Sequence, residues 1–110
     1  MSTFRAMSRL LAAAALCVSA ACGAAEPDTA VTVAMRDNRF DPARTTVERG
    51  TTVRWVNEGQ MPHNTRATNG AWQSGNVAPG QSYSFRFEAT GTFDYACTLH
   101  PGMNGTIVVQ

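Results

Sequence analysis

From residue 31 onward, short runs of alternating apolar and polar residues are separated by turn-forming residues. In residues 82–88, for example, Tyr83, Phe85 and Phe87 alternate with polar side chains. A period of two indicates β-strands that bury one face. Glycine and proline interrupt the runs, as in Ala78-Pro79-Gly80, and no run has a helical period. The pattern predicts an all-β fold, an antiparallel Greek-key two-sheet β-sandwich.

The N-terminal segment predicts that the domain is exported. Arg5 and Arg9 precede an apolar run over residues 10–21, an arrangement typical of a signal peptide. This run is too short to span a bilayer comfortably. We therefore expect an export signal over residues 1–25 and one folded domain over residues 26–110, located in the periplasm or another extracytoplasmic compartment.

Two ways of processing this signal are compatible with the sequence. Ser19-Ala20-Ala21-Cys22 partly resembles a bacterial lipoprotein site, at which Cys22 would be acylated and would anchor the domain to a membrane. Ordinary cleavage after Ala25 is the alternative. In both cases Cys97 is the only thiol of the mature domain, which excludes an internal disulfide.

Three potential metal donors lie close together near the C-terminus. Cys97-Thr-Leu-His100-Pro-Gly-Met103 carries a thiolate, an imidazole and a thioether, and a second histidine, His63, lies thirty-four residues before the cysteine. Two His, one Cys and one Met form the ligand set of a blue-copper site with a weak axial thioether. A structural zinc site would require four Cys or His donors, so the set predicts one copper ion per chain.

The chain resembles the cupredoxins, the family of plastocyanin, pseudoazurin and amicyanin. The resemblance covers nearly all of the chain after residue 30 and is carried by segments such as Val53-Arg-Trp-Val-Asn57, Pro62-His-Asn64 and residues 95–105. The Cys-x-x-His-x-x-Met spacing is most similar to that of amicyanin. The resemblance implies that the metal ligands are His63, Cys97, His100 and Met103. It also implies that the Asn64 N–H bonds the cysteine sulfur while its side chain ties the two ligand loops together.

Leu99 departs from the family pattern. Many members with this loop have proline two residues after the cysteine, whereas leucine keeps a backbone N–H that proline lacks. We expect this N–H to donate a second hydrogen bond to the Cys97 sulfur and thereby to raise the reduction potential. The alternative is that Leu99 only packs at a partner-facing surface.

Three classes of function are compatible with a copper site of this kind. A one-electron carrier is favoured, because thiolate and thioether suit Cu(I) while imidazole suits Cu(II). A multicopper oxidase or nitrite reductase would need further histidines, and the chain has two His in total. We therefore expect no enzymatic activity. A periplasmic copper-binding and delivery protein is the remaining alternative.

The charge of the mature chain bears on its partners. After residue 26 there are seven arginines, no lysine and seven acidic residues, without any basic run, so nucleic acid is not an expected partner. We expect a monomer that docks with redox proteins, such as a cytochrome c or a dehydrogenase or oxidase, through an apolar surface around His100. Met61, Pro62, Leu99 and Pro101 are the candidates for that surface.

Overall fold

The structure is a computed structural model that describes residues 30–110, and this part of the chain forms eight strands. The export signal and both processing sites lie outside the described residues. Within residues 30–110 no helix is long and apolar enough to cross a membrane. The strands are β1 (Val31–Met35), β2 (Phe40–Asp41), β3 (Arg44–Val47), β4 (Thr52–Asn57), β5 (Arg66–Ala67), β6 (Ser82–Arg86), β7 (Gly91–Ala96) and β8 (Asn104–Val109).

The strands form two four-stranded sheets, in the orders β2-β1-β4-β6 and β3-β8-β7-β5. The predicted all-β, two-sheet sandwich is confirmed, but each sheet is mixed rather than wholly antiparallel. β1 pairs in parallel with β4, with Val33 opposite Trp55, and β3 pairs in parallel with β8, with Val47 opposite Val109. The sequence could not reveal this, because side chains alternate between faces with the same period in parallel and antiparallel strands.

Aromatic rings fill the core and reach the loop that carries His63. Trp55 is fully buried, with ring centroids 5.4 Å from both Trp72 and Tyr95. Trp72, which the sequence did not place, is also buried, and its Nε1–H donates to Thr65 Oγ1 at 2.9 Å. Because Thr65 lies two residues after His63, this hydrogen bond ties the His63 loop to the core.

Gly105 on β8 gives a test of how closely this core is packed. It lies opposite Tyr95, and a Cβ at this position would overlap the buried Tyr95 ring. We expect Gly105→Ala to lower the free energy of unfolding by about 1–3 kcal/mol, the usual cost of overpacking a core. Denaturant unfolding of the copper-free protein measures this loss. The exposed neighbour Asn104 supplies the control, since Asn104→Ala should change stability by no more than about 0.5 kcal/mol. Equal effects of the two variants would contradict the close packing.

Candidate metal centre

Two loops at one end of the sandwich carry the predicted ligands. His63 lies in the loop of residues 58–65, between β4 and β5, and its N–H and C=O both pair with Val77 at 3.1 and 2.7 Å. Cys97 directly follows β7 and begins the loop of residues 97–103, which also contains His100 and Met103. We refer to these segments as the histidine loop and the cysteine loop.

The donor atoms of His63, Cys97 and His100 all lie within 4.8 Å of one another. His63 Nδ1 is 3.9 Å from Cys97 Sγ, a separation that fits two bonds of about 2.0–2.3 Å to one ion between them. His63 and Cys97 are buried, whereas His100 is half-buried. The three side chains could therefore hold one metal ion, shielded by protein on the His63 and Cys97 side and closer to solvent at His100.

Backbone hydrogen bonds fold the cysteine loop so that its two sulfur-bearing residues are adjacent. The Cys97 N–H donates to Met103 O at 2.9 Å, and the Met103 N–H donates to His100 O at 3.1 Å. Met103 is 1% exposed. The predicted axial ligand thus lies buried beside Cys97, at the end of the same short loop.

Asn64 joins the two loops. Its N–H donates to Cys97 Sγ at 3.4 Å, which is the contact that the family resemblance implied. Its side chain accepts from the Thr98 N–H and donates to Thr98 Oγ1, each at 2.8 Å. Since these three bonds connect the residue after His63 with the residue after Cys97, they fix the separation of the two loops.

The second hydrogen bond to sulfur that we expected from Leu99 is absent from the described residues, in which Asn64 supplies the backbone N–H that donates to Cys97 Sγ. The reason lies in the turn. The His100 N–H approaches Cys97 O at 3.5 Å, which makes Leu99 a central turn residue with its side chain 41% exposed. Leu99 therefore belongs to the surface beside His100 and not to the hydrogen bonding of the sulfur.

Hydrogen bonds to Nε2 determine which nitrogen of each imidazole is free. His100 Nε2 lies 3.2 Å from Pro62 O, and His63 Nε2 lies 3.0 Å from Asp37 Oδ1. A carbonyl and an ionised carboxylate can only accept, so each of these two contacts requires a proton on Nε2, and that tautomer leaves the Nδ1 lone pair for a metal. Asp37 could not be identified from the sequence, because it lies in a charged turn far from the ligand motifs.

These contacts change the pKa of the Asp37 side chain. The hydrogen bond from His63 lowers the pKa of Asp37 below its ordinary value, and the bonds from the backbone N–H groups of Gln60 and Met61 act in the same direction. The carboxylate is therefore ionised at neutral pH and acts as an acceptor throughout this network.

The surface beside His100 is apolar. Among residues 30–110, the exposed large hydrophobic residues are Met61 and Leu99, which are 47% and 41% exposed. The contact between His100 and Pro62 O places the Met61-Pro62 segment next to the imidazole. We call Met61, Pro62, Leu99 and Pro101 the apolar rim.

Comparison with known proteins identifies relatives of this fold and site. The family model described as "Cupredoxin-like domain" matches residues 9–109. Amicyanin from Paracoccus versutus is 34% identical over 89 residues, which are 76% of this chain and 67% of that protein. Plastocyanin from Scenedesmus fuscus is 39% identical over 84 residues, 64% of this chain and 86% of that protein. A solved Cu(I) form of an amicyanin variant matches with a TM-score of 0.71 and 33% identity, covering 76% of this chain and 84% of that one.

Proposed function

The chain belongs to the cupredoxin family, whose cofactor is one copper ion, and we propose that it carries single electrons between extracytoplasmic redox proteins. The ligands in this proposal are His63, Cys97, His100 and Met103. The observation that carries it is the convergence of the His63, Cys97 and His100 donor atoms within 4.8 Å, at one end of the sandwich.

The residues of the site are suited to an ion that changes its charge without leaving. When bound, copper supplies a Cu(II)/Cu(I) couple. The Cys97 thiolate and the Met103 thioether favour the reduced ion, and the two imidazoles accommodate the oxidised one. Asn64 holds the two loops at a fixed separation through its bonds to Cys97 and Thr98. Donors held in this way move little on electron transfer, which keeps the reorganisation small.

Electrons enter and leave at the His100 edge in this proposal, because the other ligands are buried. The apolar rim lies beside that edge, and a partner that docks on the rim would exclude water from the contact. Docking through such a surface requires little net charge, in agreement with the near balance of arginines and acids after residue 26.

A charge in the apolar rim should slow electron transfer more than a charge elsewhere. We expect Leu99→Glu to reduce the second-order rate constant with a soluble cytochrome c by about tenfold, since a charged group must be desolvated at the contact. Stopped-flow kinetics gives this rate. Ser84→Glu is the matched control, because Ser84 is exposed on the β6 face shared with Arg86. Similar slowing by both variants would argue against docking at the rim.

An electron carrier keeps its copper, whereas a copper-delivery protein releases it. We expect repeated reduction by ascorbate and oxidation by ferricyanide, in the presence of a Cu(I) chelator, to return the same visible spectrum after each cycle. Loss of copper to the chelator on reduction would favour delivery.

The proposed role is not enzymatic, since the only two histidines of the chain are both assigned to the one copper site.

We further propose that residues 1–25 export a domain that comprises residues 26–110. The basic and apolar character of the first 21 residues supports export. The mass of the mature protein distinguishes the two processing sites, because a chain beginning at an acylated Cys22 is heavier than one cleaved after Ala25. The Cys22 anchor would be the domain's only attachment to a membrane in this proposal.

A further inference from the structure

We propose that Asp37 is a positioning residue of the metal centre, which accepts the His63 Nε2–H and thereby fixes the ring in the tautomer and orientation that point Nδ1 toward Cys97. This inference rests on the proposed role of His63 as a copper ligand. Asp37 lies in the turn between β1 and β2, far from the ligand motifs in sequence.

The contacts of Asp37 join this turn to the histidine loop. Asp37 Oδ1 accepts from His63 Nε2 at 3.0 Å, from the Gln60 N–H at 2.9 Å and from the Met61 N–H at 3.2 Å. Oδ2 accepts from the same Gln60 N–H at 3.0 Å. The Asp37 side chain is 39% exposed, while that of His63 is completely buried. The carboxylate thus keeps contact with water at the surface while it holds the outer nitrogen of a buried imidazole.

Gly59 supplies the space that the carboxylate occupies. A Cβ at Gly59 would overlap the Asp37 carboxylate and would lie 3.2 Å from His63 Nε2. The loop is held from its other side by Asn57, which is 1% exposed. The Asn57 side chain accepts from the Gly59 N–H at 2.8 Å and donates to Met61 O at 2.8 Å. Because these bonds hold the loop backbone, an added methyl group would have to displace Asp37.

A carboxylate at Nε2 makes Nδ1 a better donor. Partners of this kind fix the tautomer of a ligating histidine and raise its basicity, and their removal typically lowers metal affinity about 10- to 100-fold. The more basic nitrogen stabilises Cu(II) more than Cu(I). Loss of Asp37 should therefore weaken Cu(II) binding most and raise the reduction potential.

The experiment compares Asp37→Ala with Glu58→Ala. Both variants remove one carboxylate near the same loop, but Glu58 contacts Arg36 and not His63. Imidazole ¹⁵N NMR of the copper-free protein reports the tautomer, and copper titration with voltammetry reports the two affinities. We expect the wild type and Glu58→Ala to hold His63 in the Nε2–H form. Asp37→Ala should mix the tautomers and lower Cu(II) affinity about 10- to 100-fold. Each tenfold loss for Cu(II) relative to Cu(I) is a rise of about 59 mV.

Two further variants separate positioning from a general loss of stability. Gly59→Ala leaves every charge in place and should reproduce the tautomer mixing of Asp37→Ala. Asp37→Asn keeps an acceptor oxygen and should largely restore the Nε2–H form. An Nδ1–H tautomer of His63 in the wild type, or an unchanged tautomer in Asp37→Ala, would overturn the inference. Because the tautomer is measured without copper, this outcome is independent of whether the loaded protein is blue and cycles electrons.

Discussion

Replacement of Cys97 by serine will abolish the blue colour of the Cu(II) form. The colour arises from charge transfer between a cysteine thiolate and Cu(II), and Cys97 is the only cysteine among residues 26–110. Its sulfur lies 3.9 Å from His63 Nδ1 and accepts the Asn64 N–H. A serine hydroxyl fits the same space but is a harder donor that does not give this absorption. Visible spectra of the two proteins, each loaded with Cu(II), measure the loss.

Two controls test whether the loss of colour comes from the loss of a metal ligand and not from a change in the fold. Circular dichroism of copper-free Cys97→Ser should match that of the wild type, because the substitution preserves the volume of the buried side chain. His63→Ala should also disrupt the site while leaving Cys97 present. If the wild-type protein itself showed only the weak absorption of a tetragonal nitrogen–oxygen site, the blue-copper interpretation would be wrong.

Residue type and spacing predicted the part of the site that is local in sequence. Cys97, His100 and Met103 lie within seven residues, so any loop that closes on itself brings their donors near one another. The proximity of His63 to Cys97 could not be predicted from spacing, because the thirty-three residues between them can follow many paths. Its assignment came from the resemblance of the Pro62-His-Asn64 segment to a known family, and the structure places its ring beside Cys97 Sγ.

The contacts that the sequence did not predict depend on the three-dimensional path of turns. Asp37 reaches His63 from a turn between two strands, across a space that exists because residue 59 is glycine. Neither hydrophobic periodicity nor motif spacing in the sequence predicts this contact between Asp37 and His63. The wrong expectation for Leu99 has the same origin, since the sequence shows that an N–H exists but the turn decides where it points. Trp72, in a run of turn-forming residues, lies in the core, where its Nε1–H donates to Thr65.

The second large effect that we expect is a change in reduction potential when Met103, the proposed axial ligand, is replaced. Met103 is buried beside Cys97, whose N–H donates to its carbonyl oxygen at 2.9 Å. A long thioether bond favours Cu(I), whereas the amide oxygen of glutamine favours Cu(II). We therefore expect Met103→Gln to retain a copper site and to lower the reduction potential. A ten- to hundredfold change in the ratio of the two affinities corresponds to about 60–120 mV.

Voltammetry on Met103→Gln and Met103→Leu separates ligation from packing. Leucine has nearly the volume of methionine but no donor atom, so it disturbs the packing least and removes the proposed ligand completely. If Met103 is the axial ligand, the two variants should shift the potential in opposite directions, because glutamine adds a harder donor while leucine adds none and leaves Cu(II) less stabilised. Shifts of the same sign and size would mean that Met103 acts only through packing, and the site would then have three ligands rather than four.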